Sequence, residues 1–119
     1  MSAETELYSA LNVVGVTSLV SDRIYPDALP EDCAYPAIVF ARTNTTPVVS
    51  ISSQHFVDFV DFGVSVWGKT RSQVDTVASA MEVALRVAGH EITNREAGFD
   101  PDTGLVATTI TVTVAVLTA

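Results

Sequence analysis

The sequence predicts an α+β fold: a mostly antiparallel sheet of four to five strands, with two helices packed on one face. Three observations carry this expectation. Residues 55–68 and 105–116 alternate between apolar and polar side chains, the period-two signature of strands with one covered face. Residues 71–88 carry one apolar stripe at helical spacing, made by Val74, Val77, Ala78, Met81, Leu85 and Ala88. The segments joining paired strands are too short for crossovers, so each pair reads as an antiparallel hairpin. Helices on one face of such a sheet give a two-layer sandwich.

Taken in order, residues 3–14 read as a short helix. Leu7, Ala10, Leu11 and Val14 fall at i, i+3, i+4 and i+7, Glu4 and Glu6 lie near the positive end of the helix dipole, and Gly15 is placed to stop it. Pro26, Pro30 and Pro36 punctuate the next stretch, which leaves room for at most a short edge strand at "RIY" (23–25). "AIVFART" (37–43) is a strand. "NTTPVVSISSQ" (44–54) is polar, is broken by Pro47, and reads as a long hairpin loop. Residues 55–68 form the longest strand, with Val60, Phe62, Val64 and Val66 toward the core. Thr70 and Gln73 make a capping box for the helix at 71–88, and Gly89 stands at the C′ position behind it. Residues 90–99 form a weaker strand and "DPDTG" (100–104) a turn. The last strand places Val106, Ile110, Val112, Val114 and Val116 on the core side, with Thr108 as the exception.

A chain of 119 residues is read as one domain, 1–119, with a single core. Fourteen Asp and Glu against six Lys and Arg give a net charge of -8, which repels nucleic acid and anionic membrane. Cys33 is the only cysteine, which excludes an internal disulfide and a multi-cysteine metal site and fits folding in a reducing cytoplasm. The start, "MSAETELYSAL", has neither a basic region nor a long apolar run and is not read as a signal peptide. The most apolar stretch (105–119) is 15 residues long with five threonines, too short and too polar to span a bilayer.

Residues 63–70, "GVSVWGKT", match the phosphate-binding pattern G-x-x-x-x-G-K-[ST]. In that motif the strand ends before the first glycine, and a loop of backbone N–H groups then wraps the phosphate. Here Val64 to Trp67 alternate like a strand, and no later strand ends in an Asp that could hold magnesium. The stretch is therefore read as a strand-to-helix corner, not a nucleotide site. "DPDTG" lacks the third carboxylate and the bidentate Glu of a calcium loop. Asp58 and Asp61 are three apart on a strand and point to opposite faces. His55 and His90 belong to no ligand spacing, and nothing near Cys33 activates it. No catalytic, cofactor-binding or metal site is expected.

Two features exceed what a bland monomer needs. The strand at 55–68 is apolar on both faces, since its odd positions include Phe59 and Trp67. The 44–54 segment carries Val48, Val49 and Ile51 with no evident place in the subunit's own core. Both suggest assembly, and Thr46, Pro47, Val48, Val49, Ile51, Phe59 and Trp67 are the interface candidates.

The ordered series "LYSAL", "RIYPDALPED…YPAIVF", "FGVSVWGKTRSQVDTVASAMEVAL" and "DPDTGLVATTITVTV" resembles the tail-completion, or tail-terminator, proteins of long-tailed bacteriophages. The resemblance runs from about residue 5 to residue 117 and rests on the order of segments, not on one motif. Tyr35, where that family often has Leu before the proline, is a departure. The resemblance implies a structural virion protein without catalysis or cofactor, folded in the host cytoplasm. It implies a hexameric ring at the head-proximal end of the tail tube, which ends tail polymerisation and meets the head connector. The implied partners are other copies of the chain, the tail tube protein and a head-completion or connector protein. Genomic DNA passes through the lumen without specific binding, and no membrane is involved. A head-completion or stopper protein of the connector is the alternative, and a small-ligand-binding α+β domain a more distant one.

Overall fold

The computed structural model describes residues 3–21, 23–30, 34–49 and 56–117. The two strands with the strictest alternation lie at its centre. β3 (Phe56–Gly68) pairs antiparallel with β5 (Leu105–Leu117), with Val64 opposite Ile110 and Val60 opposite Val114. Alternation then places Val60, Phe62, Val64, Val66, Ile110, Val112 and Val114 on one face, and all are buried. β2 (Ala37–Val49) runs antiparallel to β3, and β4 (Glu91–Asp100) antiparallel to β5. Both expected hairpins therefore form. β1 (Ile24–Pro26) adds a short parallel edge to β2, so the order is β1-β2-β3-β5-β4 and the sheet is mixed but mostly antiparallel.

Three helices, not two, cover the buried face. α1 (Ala3–Leu11) and α3 (Arg71–Val87) were expected; α2 (Val14–Val20) was not. The first helix ends three residues early, because Val13 is extended (φ -124, ψ 156) and caps a new helix that contains Gly15. Val14 is 82% exposed, and Val16 and Val20, one turn apart, take the core positions instead. The β-branched, glycine-containing sequence VGVTSLV has poor helix propensity, so burial of one face holds this helix. On α3, Val74, Val77, Ala78, Met81 and Leu85 are buried, whereas Ala88 is the exposed C-cap and not part of the stripe. These residues join Leu7, Leu11, Val16, Val20 and the sheet in one core cluster.

The expected loop at 44–54 is strand through Val49. Residues 44–49 continue β2 opposite 56–61, with Thr46 opposite Phe59, Pro47 opposite Asp58 and Val48 opposite Val57. Proline is tolerated because β1 pairs only with Ile38 to Phe40, which leaves the outer edge of β2 without a strand neighbour at Pro47. A register shift between Arg42 and Asn44 makes Thr43 a bulge and reverses which residues face the helices. A second shift, between Ile92 and Asn94, turns Arg95 to the helix side, where it meets Asp75 at 3.6 Å and Glu82 at 3.2 Å on α3.

Candidate assembly surfaces

The stretch "GVSVWGKT" is strand up to Gly68. Gly63 sits in the middle of the sheet, opposite Ala41 and Thr111, and Val64 and Val66 are buried. Its backbone N–H groups belong to strand pairing and form no cradle for a phosphate. The Thr70 hydroxyl accepts the Gln73 N–H at 3.2 Å, and the Gln73 side chain accepts the Lys69 N–H at 3.2 Å. The expected capping box thus forms, with the return bond one residue earlier than in the usual pattern. Lys69 is exposed. Arg71 anchors the same corner by donating to the carbonyls of Ala107 (3.1 Å) and Gly98 (3.0 Å) and to the Thr108 hydroxyl (3.0 Å). That contact, with a 3.5 Å bond from Thr108 to Asp75, satisfies the one buried polar side chain among the described residues.

The "DPDTG" segment closes as a turn. Asp100 accepts the Asp102 N–H on Oδ1 at 3.0 Å, its carbonyl accepts the Gly104 N–H at 2.8 Å, and Gly104 has φ +73. Among the described residues, no group of three or more His, Cys, Asp or Glu side chains is placed to hold a metal ion. No described helix is long and apolar enough to cross a membrane. Cys33 and His55 lie outside the described residues.

With the helices on one side, the opposite face of the sheet is left open. Register places Asp61, Ser65, Thr109, Thr111 and Thr113 along its centre and Glu91 and Glu96 on β4 beside them. The strands contain two basic residues, Arg42 and Arg95, and both fall on the helix side. The centre of the open face is therefore polar, and the charged strand residues on this face are acidic, none basic. Arg42 is held by Glu4 of α1 (Nε to Oε2 2.9 Å, Nη2 to Oε1 2.6 Å), and this guanidinium lowers the Glu4 carboxyl from its ordinary value of 4.5.

The interface candidates separate in space. Thr46 and Phe59 are directly opposed on the open face, both exposed, at the far end of the β2–β3 hairpin. Trp67 lies on the same face but eight residues along β3, about 26 Å away at strand rise. It is half-buried and shares a cleft with Asp27, Leu29 and Val39, so the loop behind β1 covers part of the second surface expected there. Pro47, Val48 and Val49 occupy the register positions given above, and Ile51 lies outside the described residues.

A further apolar surface lies on the helix layer. A groove of about 480 Å³ runs between α1 and the C-terminal end of α3, lined by Ala10, Val13, Ala84 and Val87, with Glu6 and His90 also on its walls. Val83 (62% exposed) and Val87 (83%) lie one turn apart on α3 beside it. The sequence held a signal for this surface: Val83 and Val87 sit at i, i+4 but off the core stripe.

The family model for tail completion protein gp17 matches residues 5–117. Among solved structures, the fold matches a chain of the virion of a native gene transfer agent particle, with a TM-score of 0.76, over 98% of this chain and 96% of that one. Sequence identity in that match is 15%, so it is a likeness of fold. A search of the curated proteins gave no match.

Proposed function

The chain belongs to the tail completion protein gp17 family, and on that premise we propose that it forms a ring at the head-proximal end of a phage tail tube. The ring, read as six copies, stops tail polymerisation and makes the joint to the head connector. The observation that carries this reading is the extent of the family match, which runs from within α1 to the end of β5. The fold supports it in two ways. Exposed apolar residues occur on separate surfaces, at Phe59 on the hairpin and at Val83 and Val87 on the helix layer. Contact between two different surfaces of identical subunits is heterologous, which is the geometry that closes into rings. The open sheet face also suits the wall of a DNA channel, since acidic strand residues without basic ones offer no counterion-releasing contact to a passing duplex.

The test is the copy number and the position in the particle. Native mass spectrometry of the purified protein, or of tails carrying it, is expected to give a closed oligomer. Particles that lack the protein should show tails of irregular length or heads and tails left unjoined. A protein located beneath the portal, with tails of normal length in its absence, would transfer the assignment to the connector.

A further inference from the structure

We propose that the groove between α1 and the C-terminal end of α3 receives the β2–β3 hairpin of a second copy of this chain. The inference rests on the ring reading above and names the two surfaces that make it. The groove walls are Ala10, Val13, Ala84 and Val87. Of these Val87 is 83% exposed, and Val83, one turn before it on α3, is 62% exposed. Adjacent aliphatic side chains left so far out of a subunit's own core mark a contact site.

Charge selects the occupant. The chain carries -8, so contact between two copies brings like charges together over most of the surface. The hairpin is a projecting exception: residues 43–57 contain no Asp, Glu, Lys or Arg, and the other uncharged stretches of such length are 7–21, in the helices beside the groove, and 103–119, which contains the interior strand β5. A segment of that composition can enter a groove that has Glu6 on its wall without repulsion, and its sequence supplies aliphatic residues at Val48 and Val49. The same molecule does not fill its own groove. Its hairpin strands are fixed in the sheet, Val48 opposite Val57 and Val57 opposite Leu117, and among the described residues the groove is lined by none from β2 or β3. Each copy therefore offers one hairpin and one vacant groove on different surfaces. Repeating that contact by rotation links copies head to tail and closes when the rotation completes a turn.

Two measurements test the proposal. Val87→Glu changes an exposed side chain, so its circular dichroism and melting temperature should stay near those of the wild type while its rings dissociate into monomers. Separately, Thr46→Cys with Val87→Cys in a Cys33→Ser background should form disulfides between copies on oxidation, as a ladder ending at the ring, whereas either single cysteine should not form the ladder. Intact rings in Val87→Glu together with no ladder would overturn the groove assignment and leave the ring itself standing. Rings of Val87→Glu that form normally but fail to join tail tubes would also overturn it and give the groove to the tail tube protein. Failure of the ring reading would show in the unmodified protein, as a monomer both in solution and on the particle.

Discussion

Gly68 holds the corner where β3 gives way to α3. A Cβ there would come within 2.8 Å of both Gln73 Oε1 and Val74 Cγ2. The glutamine tip can move, but Val74 is buried and short, so Gly68→Ala should overpack the corner at a cost of about 1–3 kcal/mol. Gly63, the other glycine of the phosphate-loop pattern, would meet only Thr43 and Thr109 methyls at 3.6 and 4.0 Å, which is ordinary contact. Gly63→Ala should therefore be neutral or stabilising by up to about 1 kcal/mol in a strand interior. Urea denaturation of the two variants checks the contrast, and equal losses would show that the corner is not what needs a glycine. Glu4 gives a prediction in pH. Hydrogen bonding to Arg42 lowers its carboxyl from 4.5 in the folded state. The stability this contributes is fully present above that ordinary value and is lost as pH falls through the lowered one. The melting temperature of Glu4→Gln should lie slightly below wild type at neutral pH, with the difference vanishing in acid. A gap unchanged from pH 7 to strongly acid solution would mean the pair does not act through this ionisation. Both partners are well exposed, so the effect is small.

At the scale of elements, α3 organises the core. Thr70 caps its first turn, and its end closes as a Schellman motif. There the His90 N–H reaches the Leu85 carbonyl at 3.0 Å, the Gly89 N–H reaches Arg86 at 3.0 Å, and Gly89 has φ +87. Between these ends Val77, Met81 and Leu85 pack in one core with Val64, Val66, Val112 and Val114. Leu85 is fully buried, so Leu85→Ala should lower the unfolding free energy by about 2–5 kcal/mol. A change below about 0.5 kcal/mol in chemical denaturation would contradict the packing of α3 on the sheet. The β2–β3 hairpin behaves differently. Beyond the Thr43 bulge, residues 44–46 are exposed, so pairing with β3 orders this arm, not a core. Cutting out residues 46–52 would therefore remove ladder positions 46–49 along with the connection, which is more than shortening a loop.

The whole molecule is elongated, 52 × 29 × 23 Å, with a Cα radius of gyration of 15.1 Å. A compact domain of this length would have about 13–14 Å. Thirteen-residue strands outreach helices of 9, 7 and 17 residues, because a strand rises more than twice as far per residue as a helix. Small-angle scattering from a variant held monomeric, such as Val87→Glu, should give a radius clearly above the compact value and an elongated pair-distance distribution. A symmetric distribution would mean that the hairpin folds back on its own subunit, which would also remove the arm that reaches a neighbour.

The sequence alone determined what is encoded within a few residues of itself. Period-two alternation marked β3 and β5, the period of 3.6 marked α3, Thr70 with Gln73 marked its start and Gly89 its end. Short connections made both hairpins antiparallel, and the strand pattern through Val64 to Trp67 set aside the phosphate-loop reading. Only the tertiary structure decided the rest. The adjacency of β3 and β5, and the parallel placing of β1, are pairings between distant residues that leave no local period. β2 continues through Pro47 because no strand lies beyond it there to need the missing N–H. α2 forms despite weak propensity because Val16 and Val20 are buried against elements the local sequence cannot announce. The open face and the groove emerge only when register and packing gather side chains from separate segments, Asp61 with Glu91 and Val13 with Val87. A local pattern states which side of an element is apolar; what covers that side is decided by every other element competing for the same core.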